Sequence, residues 1–401
     1  MNIFSKLVSR TITSFFYIAK PFLPYKPPKN LDHIEDIVDV LNEKHINSVL
    51  LVTDKSIRKF GLSTKLEERI VKNNISLTIY DDVLPNPTTV NVQEGLDVYL
   101  NNKCQTIIAF GGGSPIDCAK AIAARTPKPK KPIEKLKGTL KVRGKLPLLF
   151  AVPTTAGTGS EVTLTAVISD PVTHSKYTIN DFKLVPDYAV LDPETTFTLP
   201  KHLTSTTGID ALTHAIEAFI GKSTSKTTRK QSIDAITLIF NNIRTAYNFP
   251  DNYAARKNML IASNLAGKAF SMSYVGYVHA VAHTLGGKYN VPHGLANSIL
   301  LPYVLRDYGK KIYKKLHTLA IAICASTKGD SHEEGAKKFL DSLDLLLKDL
   351  DIPTKVDCIK KEDIPTLAKI AAKEANHLYP VPVLMNAKEL EKFYFMIREK
   401  I

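Results

Sequence analysis

The segment Thr106-Ile-Ile-Ala-Phe110 runs directly into Gly111-Gly-Gly-Ser-Pro-Ile-Asp-Cys-Ala-Lys120 and on into Ala121-Ile-Ala-Ala124. A short apolar run rich in β-branched side chains predicts a strand, and the continuation predicts a helix. Between them, Ser114 is expected as the helix N-cap, Pro115 at the first helical position and Asp117 in the first turn. Glycines ahead of a helix N-terminus let backbone N–H groups approach a pyrophosphate, and the helix dipole favours its charge. A tight strand-to-helix turn also uses glycine, but three in succession exceed what a turn requires, which favours phosphate binding. The segment lacks the Gly-x-Gly-x-x-Gly fingerprint and follows the third strand-like run, so it does not predict a standard Rossmann site.

Outward from this segment the same rhythm repeats. Ser48-Val-Leu-Leu-Val-Thr53 and Ile75-Ser-Leu-Thr-Ile-Tyr80 precede it, with an amphipathic stretch over residues 90–101 between. Leu146-Pro-Leu-Leu-Phe-Ala-Val152 and Tyr188-Ala-Val-Leu191 follow as further strands. Continuous apolar strands separated by helical pieces predict a parallel sheet buried on both faces. Asp54 closes the first run, where an acidic side chain is placed to accept from an adenosine ribose and to repel a 2′-phosphate; an Asp after a strand is also a common turn or cap residue. The loop after the fourth strand, Pro153-Thr-Thr-Ala-Gly-Thr-Gly-Ser-Glu-Val-Thr163, is dense in hydroxyls and small side chains that suit a polar ligand. From about residue 201 strand signals cease, and residues 224–247, 253–270 and 310–325 carry apolar side chains at helical spacing. The expected organisation is a basic extension over 1–30, an α/β domain over 31–200 and an all-helical domain over 201–401.

Composition narrows the class. The chain is 44% hydrophobic and 23% charged, ordinary for a globular protein. It has no apolar run long enough to span a bilayer, and the patch Ser14-Phe-Phe-Tyr-Ile-Ala is too short and interrupted for a signal peptide. Its four cysteines, Cys104, Cys118, Cys324 and Cys358, form no close pair, which predicts free thiols and a cytoplasmic setting. The net charge of +14 is local: residues 1–30 hold five basic and no acidic side chains, and residues 125–145 hold nine basic against Glu134 alone. The second segment is proline-stiffened and lacks aromatics on which bases would stack, so it is expected to be a solvated loop and no nucleic-acid partner is expected.

Metal chemistry is signalled by two further stretches. Gly208-Ile-Asp-Ala-Leu-Thr-His-Ala-Ile-Glu-Ala-Phe-Ile-Gly221 has helical periodicity and places Asp210 and His214 on one face. In Val278-His-Ala-Val-Ala-His-Thr-Leu-Gly-Gly-Lys-Tyr-Asn-Val-Pro-His-Gly294, His279 and His283 lie four apart and His293 follows a glycine turn. A buried ionised Asp is costly unless paired or metal-bound, and each buried imidazole needs partners of its own. One carboxylate with three imidazoles suits Fe²⁺ or Zn²⁺, and admits Co²⁺ or Mn²⁺. Spacing does not decide whether His279 or His283 stands outside the set.

Together these segments, with Val52-Thr-Asp-Lys55, Pro85-Asn-Pro-Thr88 and Pro292-His-Gly-Leu-Ala-Asn297, resemble the iron-containing alcohol dehydrogenases, in an order that spans most of the chain. The resemblance implies an α/β dinucleotide-binding domain with a parallel sheet, an all-α C-terminal domain of the dehydroquinate synthase-like type, and an active site in a cleft between them. It implies that Asp210, His214, His279 and His293 hold the metal, Fe²⁺ ahead of Zn²⁺, and that His283 is a catalytic proton-relay residue near the nicotinamide. Gly112, Gly113 and Ser114 would hold the pyrophosphate of NAD. Thr154, Thr155, Thr158 and Thr163 would line the nicotinamide side, Asn86 and Lys176 would touch cofactor, and Asp54 would face the ribose. The expected substrate is a small alcohol, diol or aldehyde, and the expected assembly a homodimer or higher homo-oligomer. A zinc glycerol dehydrogenase and a dehydroquinate-synthase-like lyase share the architecture as neighbouring alternatives, and a protein that binds anionic surfaces through its basic segments is the alternative from another class. The family pattern does not account for the basic first thirty residues.

Overall fold

The computed structural model describes residues 23–172 and 175–399. The N-terminal extension expected from the sequence lies outside the described residues up to position 22. Among the described residues no helix is long and apolar enough to cross a membrane. Contacts divide the chain into two compact units, Pro24–Leu199 and the segment from Pro200 onward.

The first unit runs β1 (Lys29–Leu31), α1 (Asp36–Glu43), β2 (Ser48–Val52), α2 (Lys55–Lys59), α3 (Thr64–Lys72), β3 (Ser76–Tyr80), α4 (Thr89–Asn101), β4 (Thr106–Gly111), α5 (Gly113–Arg125), β5 (Gly138–Thr139), β6 (Leu148–Pro153), β7 (Thr165–Asp170), β8 (Ser175–Asn180) and β9 (Tyr188–Val190). Lys29 and Asn30, assigned by sequence to the extension, thus begin the first strand. Six strands form one sheet in the order β1-β9-β6-β4-β2-β3, and every pair in it is parallel. Alternate residues of each strand enter different cores: Leu50, Val52, Ile107, Ala109, Leu149 and Ala151 pack on one face, and Val49, Leu51, Ile108, Phe110, Phe150 and Val152 on the other. Both faces being covered, the inner strands β2, β4 and β6 read as nearly continuous apolar runs. β3 lies on one side of β2 and all later strands of this sheet on the other. The winding therefore reverses between β2 and β4, and the carboxyl ends of two such strands border the crevice where open α/β sheets take ligands.

A second, three-stranded sheet has the order β5-β8-β7, with β7 and β8 antiparallel from Thr165↔Asn180 to Asp170↔Ser175. Neither β7 nor β8 coincides with a strand-like run of the sequence, whose runs all point to a parallel sheet.

The second unit contains α6 (Lys201–Ile220), α7 (Lys226–Asn248), α8 (Tyr253–Ser273), α9 (Tyr277–Tyr289), α10 (His293–Tyr308), α11 (Tyr313–Ala322), α12 (His332–Asp349), α13 (Ile364–Leu378) and α14 (Ala387–Ile397). Helix α6 is buried on all sides from Gly208 to Ile220, as expected of a helix apolar around its circumference. It packs against α7, α8 and α10. A Cβ on Gly208 would lie 2.5 Å from Ile243 Cδ1, so the absent side chain allows the close approach of α6 to α7.

Candidate metal centre and dinucleotide site

In the helical unit, Asp210 and His214 stand one turn apart on α6, His279 lies in the first turn of α9, and His293 opens α10 directly after Pro292. One ligand atom from each of the four lies within 4.8 Å of all the others. Asp210 Oδ1 is 3.5 Å from His293 Nε2 and 3.9 Å from His279 Nε2, and Asp210 Oδ2 is 4.0 Å from His214 Nδ1. Asp210, His214 and His279 are buried, whereas the His293 side chain is 41% exposed, so the cluster has one open side. The His214 ring stacks on Phe270 at 4.2 Å.

A test of whether this donor set fits a cation rests on the His279 ring. Its Nδ1 lies 2.6 Å from Glu217 Oε2. Glu217 also accepts the backbone N–H of Gly276 at 2.7 Å and that of Val278 at 2.9 Å. Burial pushes the Glu217 carboxyl up to about 7, but with two N–H donors and an imidazole on its oxygens the arrangement is that of an acceptor, and Nδ1 carries the ring proton. His279 Nε2 is then a bare lone pair. It is buried without a hydrogen-bond partner among the described residues and faces a carboxylate oxygen that is an acceptor too. Burial, and then the neighbouring imidazoles, hold His279 well below its ordinary pKa. Two acceptors turned toward each other in a largely buried cluster leave room for a positive ion, and the N₃O set fits Fe²⁺ or Zn²⁺.

Asn297, one turn beyond His293 on α10, donates its amide to Asp210 Oδ1 at 2.7 Å and contacts His293 Nε2 at 3.1 Å. His283 stands outside the four. Its Nδ1 pairs with Glu374 Oε1 at 2.7 Å, and Tyr379 Oη donates to the same oxygen at 2.5 Å. The surrounding protein disfavours charge on His283, but the Glu374 carboxylate outweighs this and raises its pKa. The same pairing, working against burial, holds Glu374 below the usual carboxylate range. The His283 ring stacks near that of His293, with centroids 5.3 Å apart. Asn297, Glu217 and Glu374 were assigned no role from the sequence; each acts through a tertiary contact.

In the α/β unit, the glycines follow β4 as expected, with one correction. Helix α5 begins at Gly113 with Gly112 as its N-cap, two residues ahead of the expected N-cap Ser114. Gly111 has φ +149°, and a Cβ there would lie 2.6 Å from Pro115 Cγ, so only glycine fits. A Cβ on Gly112 would meet Thr155 at 3.6 Å, and one on Gly113 would meet Thr158 Cγ2 at 3.1 Å. Thr154 N–H donates to Gly111 O at 3.0 Å. The glycine turn and the threonine loop thus abut at the carboxyl ends of neighbouring strands β4 and β6. Ser114 Oγ accepts from Asn86 N–H at 3.2 Å, and Lys176 Nζ donates to Asn86 Oδ1 at 2.7 Å. Asn86 takes a left-handed φ of +60°, which Asn tolerates better than most residues. Three candidate cofactor residues from a loop, a helix and a strand are therefore joined.

Three other side chains of this unit are engaged locally. Thr163 Oγ1 accepts from Lys120 Nζ at 2.8 Å, and that buried ammonium also donates to the carbonyls of Thr163 at 2.8 Å and Thr165 at 3.0 Å. Asp117 accepts from Ser160 Oγ at 2.5 Å and from Val167 N–H at 3.0 Å, so it fastens the loop to β7 from inside. Asp54 Oδ1 caps α2, accepting from Ser56 N–H at 2.8 Å and Ile57 N–H at 3.1 Å. It does so just past the end of β2, the strand next to β4.

Comparison with known proteins agrees with this geometry. The model for iron-containing alcohol dehydrogenases matches residues 28–193, and that for the C-terminal part of the Fe-containing alcohol dehydrogenase family matches residues 204–396. The chain is 38% identical over 349 residues to the 1,3-propanediol dehydrogenase of Citrobacter freundii, covering 86% of this chain and 90% of that protein. A crystal structure of a 1,3-propanediol oxidoreductase superposes with a TM-score of 0.89 at 35% identity, covering 92% of this chain and 98% of that one. A sulfoacetaldehyde reductase from Bifidobacterium kashiwanohense, solved in complex with NAD⁺, gives 0.84 at 27% identity over 93% and 98%. The family matches over both units and the dehydrogenases among its relatives make this chain a metal-dependent alcohol/aldehyde oxidoreductase. The chain belongs to the iron-containing alcohol dehydrogenase family.

Proposed function

We propose that this enzyme transfers a hydride between NAD(H) and a small primary alcohol, diol or aldehyde, with a divalent ion, Fe²⁺ ahead of Zn²⁺, held by Asp210, His214, His279 and His293. The observation that carries this is the convergence of one carboxylate and three imidazoles within 4.8 Å, with a bare lone pair on His279. A bound ion supplies Lewis acidity toward a hydroxyl or carbonyl oxygen, and the nicotinamide supplies or takes the hydride.

The chain's own residues do the rest. The segment Pro24–Leu199 is proposed as the NAD-binding domain and the segment from Pro200 as the catalytic one. Gly112, Gly113 and Ser114 present the N-terminus of α5 to a pyrophosphate. Thr154, Thr155 and Thr158 border the turn on the nicotinamide side, with Thr163 held behind them by Lys120. Asn86 and Lys176 form a polar corner beside Ser114. Asp54, at the switch point of the sheet, favours a free ribose over a 2′-phosphate. His283, its Nδ1 held by Glu374, leaves Nε2 to take and return the proton of the substrate hydroxyl. The short diol and short aldehyde in the names of two relatives support a small substrate. Four free cysteines fit a reducing cytoplasm, and exposed Ile370, Phe395 and Met396 fit a homodimer or higher homo-oligomer. Metal analysis of anaerobically purified enzyme, followed by an NADH-coupled screen of short aldehydes and diols, tests the reading. Stoichiometric iron with turnover of at least one such compound is expected, and turnover of none contradicts it.

A further inference from the structure

Helices α6 and α9 are joined by a carboxylate that lies outside the four-residue cluster. Glu217 lies two turns beyond Asp210 on α6 and is 3% exposed. Its Oε1 takes the Val278 N–H, and its Oε2 takes both the Gly276 N–H and the His279 ring nitrogen Nδ1. The carboxylate therefore does two things at once. It caps the N-terminus of α9 from a different helix, satisfying N–H groups that a helix leaves open. It also fixes the rotation and the tautomer of the imidazole in that first turn.

Gly276 makes room for it. A Cβ there would lie 2.6 Å from Glu217 Oε1, although the φ of −138° at this position is open to any residue. The glycine is needed for the carboxylate, and the backbone conformation does not ask for it.

We infer that Glu217 is the positioning residue of the metal centre: by holding the proton on His279 Nδ1 it keeps Nε2 bare and aimed at the ion, and Gly276 exists to admit it. Metal-bound imidazoles commonly lean on a carboxylate in this way, and loss of the partner typically costs about 10–100-fold in metal affinity. The inference rests on the proposed metal site and names what tunes it. The carboxylate serves the ion through the imidazole and touches no reacting atom.

Two variants and one wild-type measurement test it. In Glu217→Gln an amide NH₂ must face at least one N–H donor, and the Nδ1–H of His279 loses its charged acceptor. In Gly276→Ala the added methyl displaces the carboxylate end without changing any proposed ligand. Dissociation constants for Co²⁺ and Zn²⁺, measured by competition with a chelating dye, should rise about 10–100-fold in both. The Co²⁺ absorption bands should shift, and Glu217→Asp should recover part of the affinity. If either variant folds poorly, ¹⁵N chemical shifts of the histidine rings in metal-free wild-type protein decide the point, with His279 assigned by a His279→Asn variant. The Nδ1–H tautomer is expected. Wild-type ion affinity with unshifted bands in folded variants, or the Nε2–H tautomer in the wild type, overturns the inference. Failure of the wild type itself to bind either ion overturns the metal site instead.

Discussion

His283 Nδ1 and Glu374 Oε1 lie 2.7 Å apart, while one turn earlier on the same helix His279 Nδ1 meets Glu217 Oε2 at 2.6 Å. Two imidazoles four residues apart are each gripped through the same ring nitrogen by a carboxylate from another helix. His279 Nε2 is 3.9 Å from Asp210 Oδ1 within the four-residue cluster, whereas His283 stands outside that cluster. The proposed roles of the two rings part there, one holding the metal and the other relaying the proton.

His283→Ala should therefore lower turnover by about 10²–10⁴-fold, the usual worth of a positioned acid–base group, with metal content unchanged. Glu374→Gln should lower it less, also without metal loss. Iron loss in either variant, read by elemental analysis, would move His283 into the ligand set.

Asp210→Ala should lose metal by more than the roughly 10–100-fold that an outer partner costs, because it deletes a ligand atom. It should lose turnover in parallel. Full metal content in that variant refutes the assignment.

Asp54→Gly separates two roles of one carboxylate. Losing its cap on α2 should cost only a few tenths of a kcal/mol, since glycine is tolerated at N-caps. Losing its charge beside the ribose should raise the NADPH/NADH ratio of kcat/KM. An unchanged ratio leaves Asp54 as a cap alone.

Lys120 gives a stability prediction with a defined sign. Its pKa is pushed down to about 8 by burial, with Asp117 and Glu161 opposing. Between about pH 8 and the unfolded value of 10.5 the unfolded chain binds the extra proton, so this group adds stability as pH rises through that window and none below it. Lys120→Met should be destabilised at pH 7 by about 1–3 kcal/mol, because buried carbonyls of Thr163 and Thr165 lose their donor. Chemical denaturation at pH 7 and pH 10 checks both, and a variant that keeps the same rise with pH excludes Lys120 as its source.

Much of the architecture was readable along the chain because its signals are local. β2, β4 and β6 are nearly continuous apolar runs buried on both faces, and Asp210 with His214 is a single-helix i, i+4 relation. The β7–β8 hairpin was missed because Thr165–Asp170 exposes Val167 between buried Ala166 and Ile168, a short alternation that a reading tuned to continuous runs passes over. The helix start at Gly113 was missed because Ser114 is the better capping residue by type, yet its hydroxyl serves Asn86. Choosing between His279 and His283 was beyond spacing, since both sit at equivalent places on one helix. What separates them is that the tertiary fold gathers Asp210, His214 and His293 around His279 and leaves His283 outside that cluster.

The most direct measurement is turnover of the best substrate by enzyme stripped with a chelator under anaerobic conditions, with residual metal quantified in the same sample. Activity should fall in proportion to the metal removed and return on adding Fe²⁺. Undiminished turnover by metal-free enzyme would contradict the account.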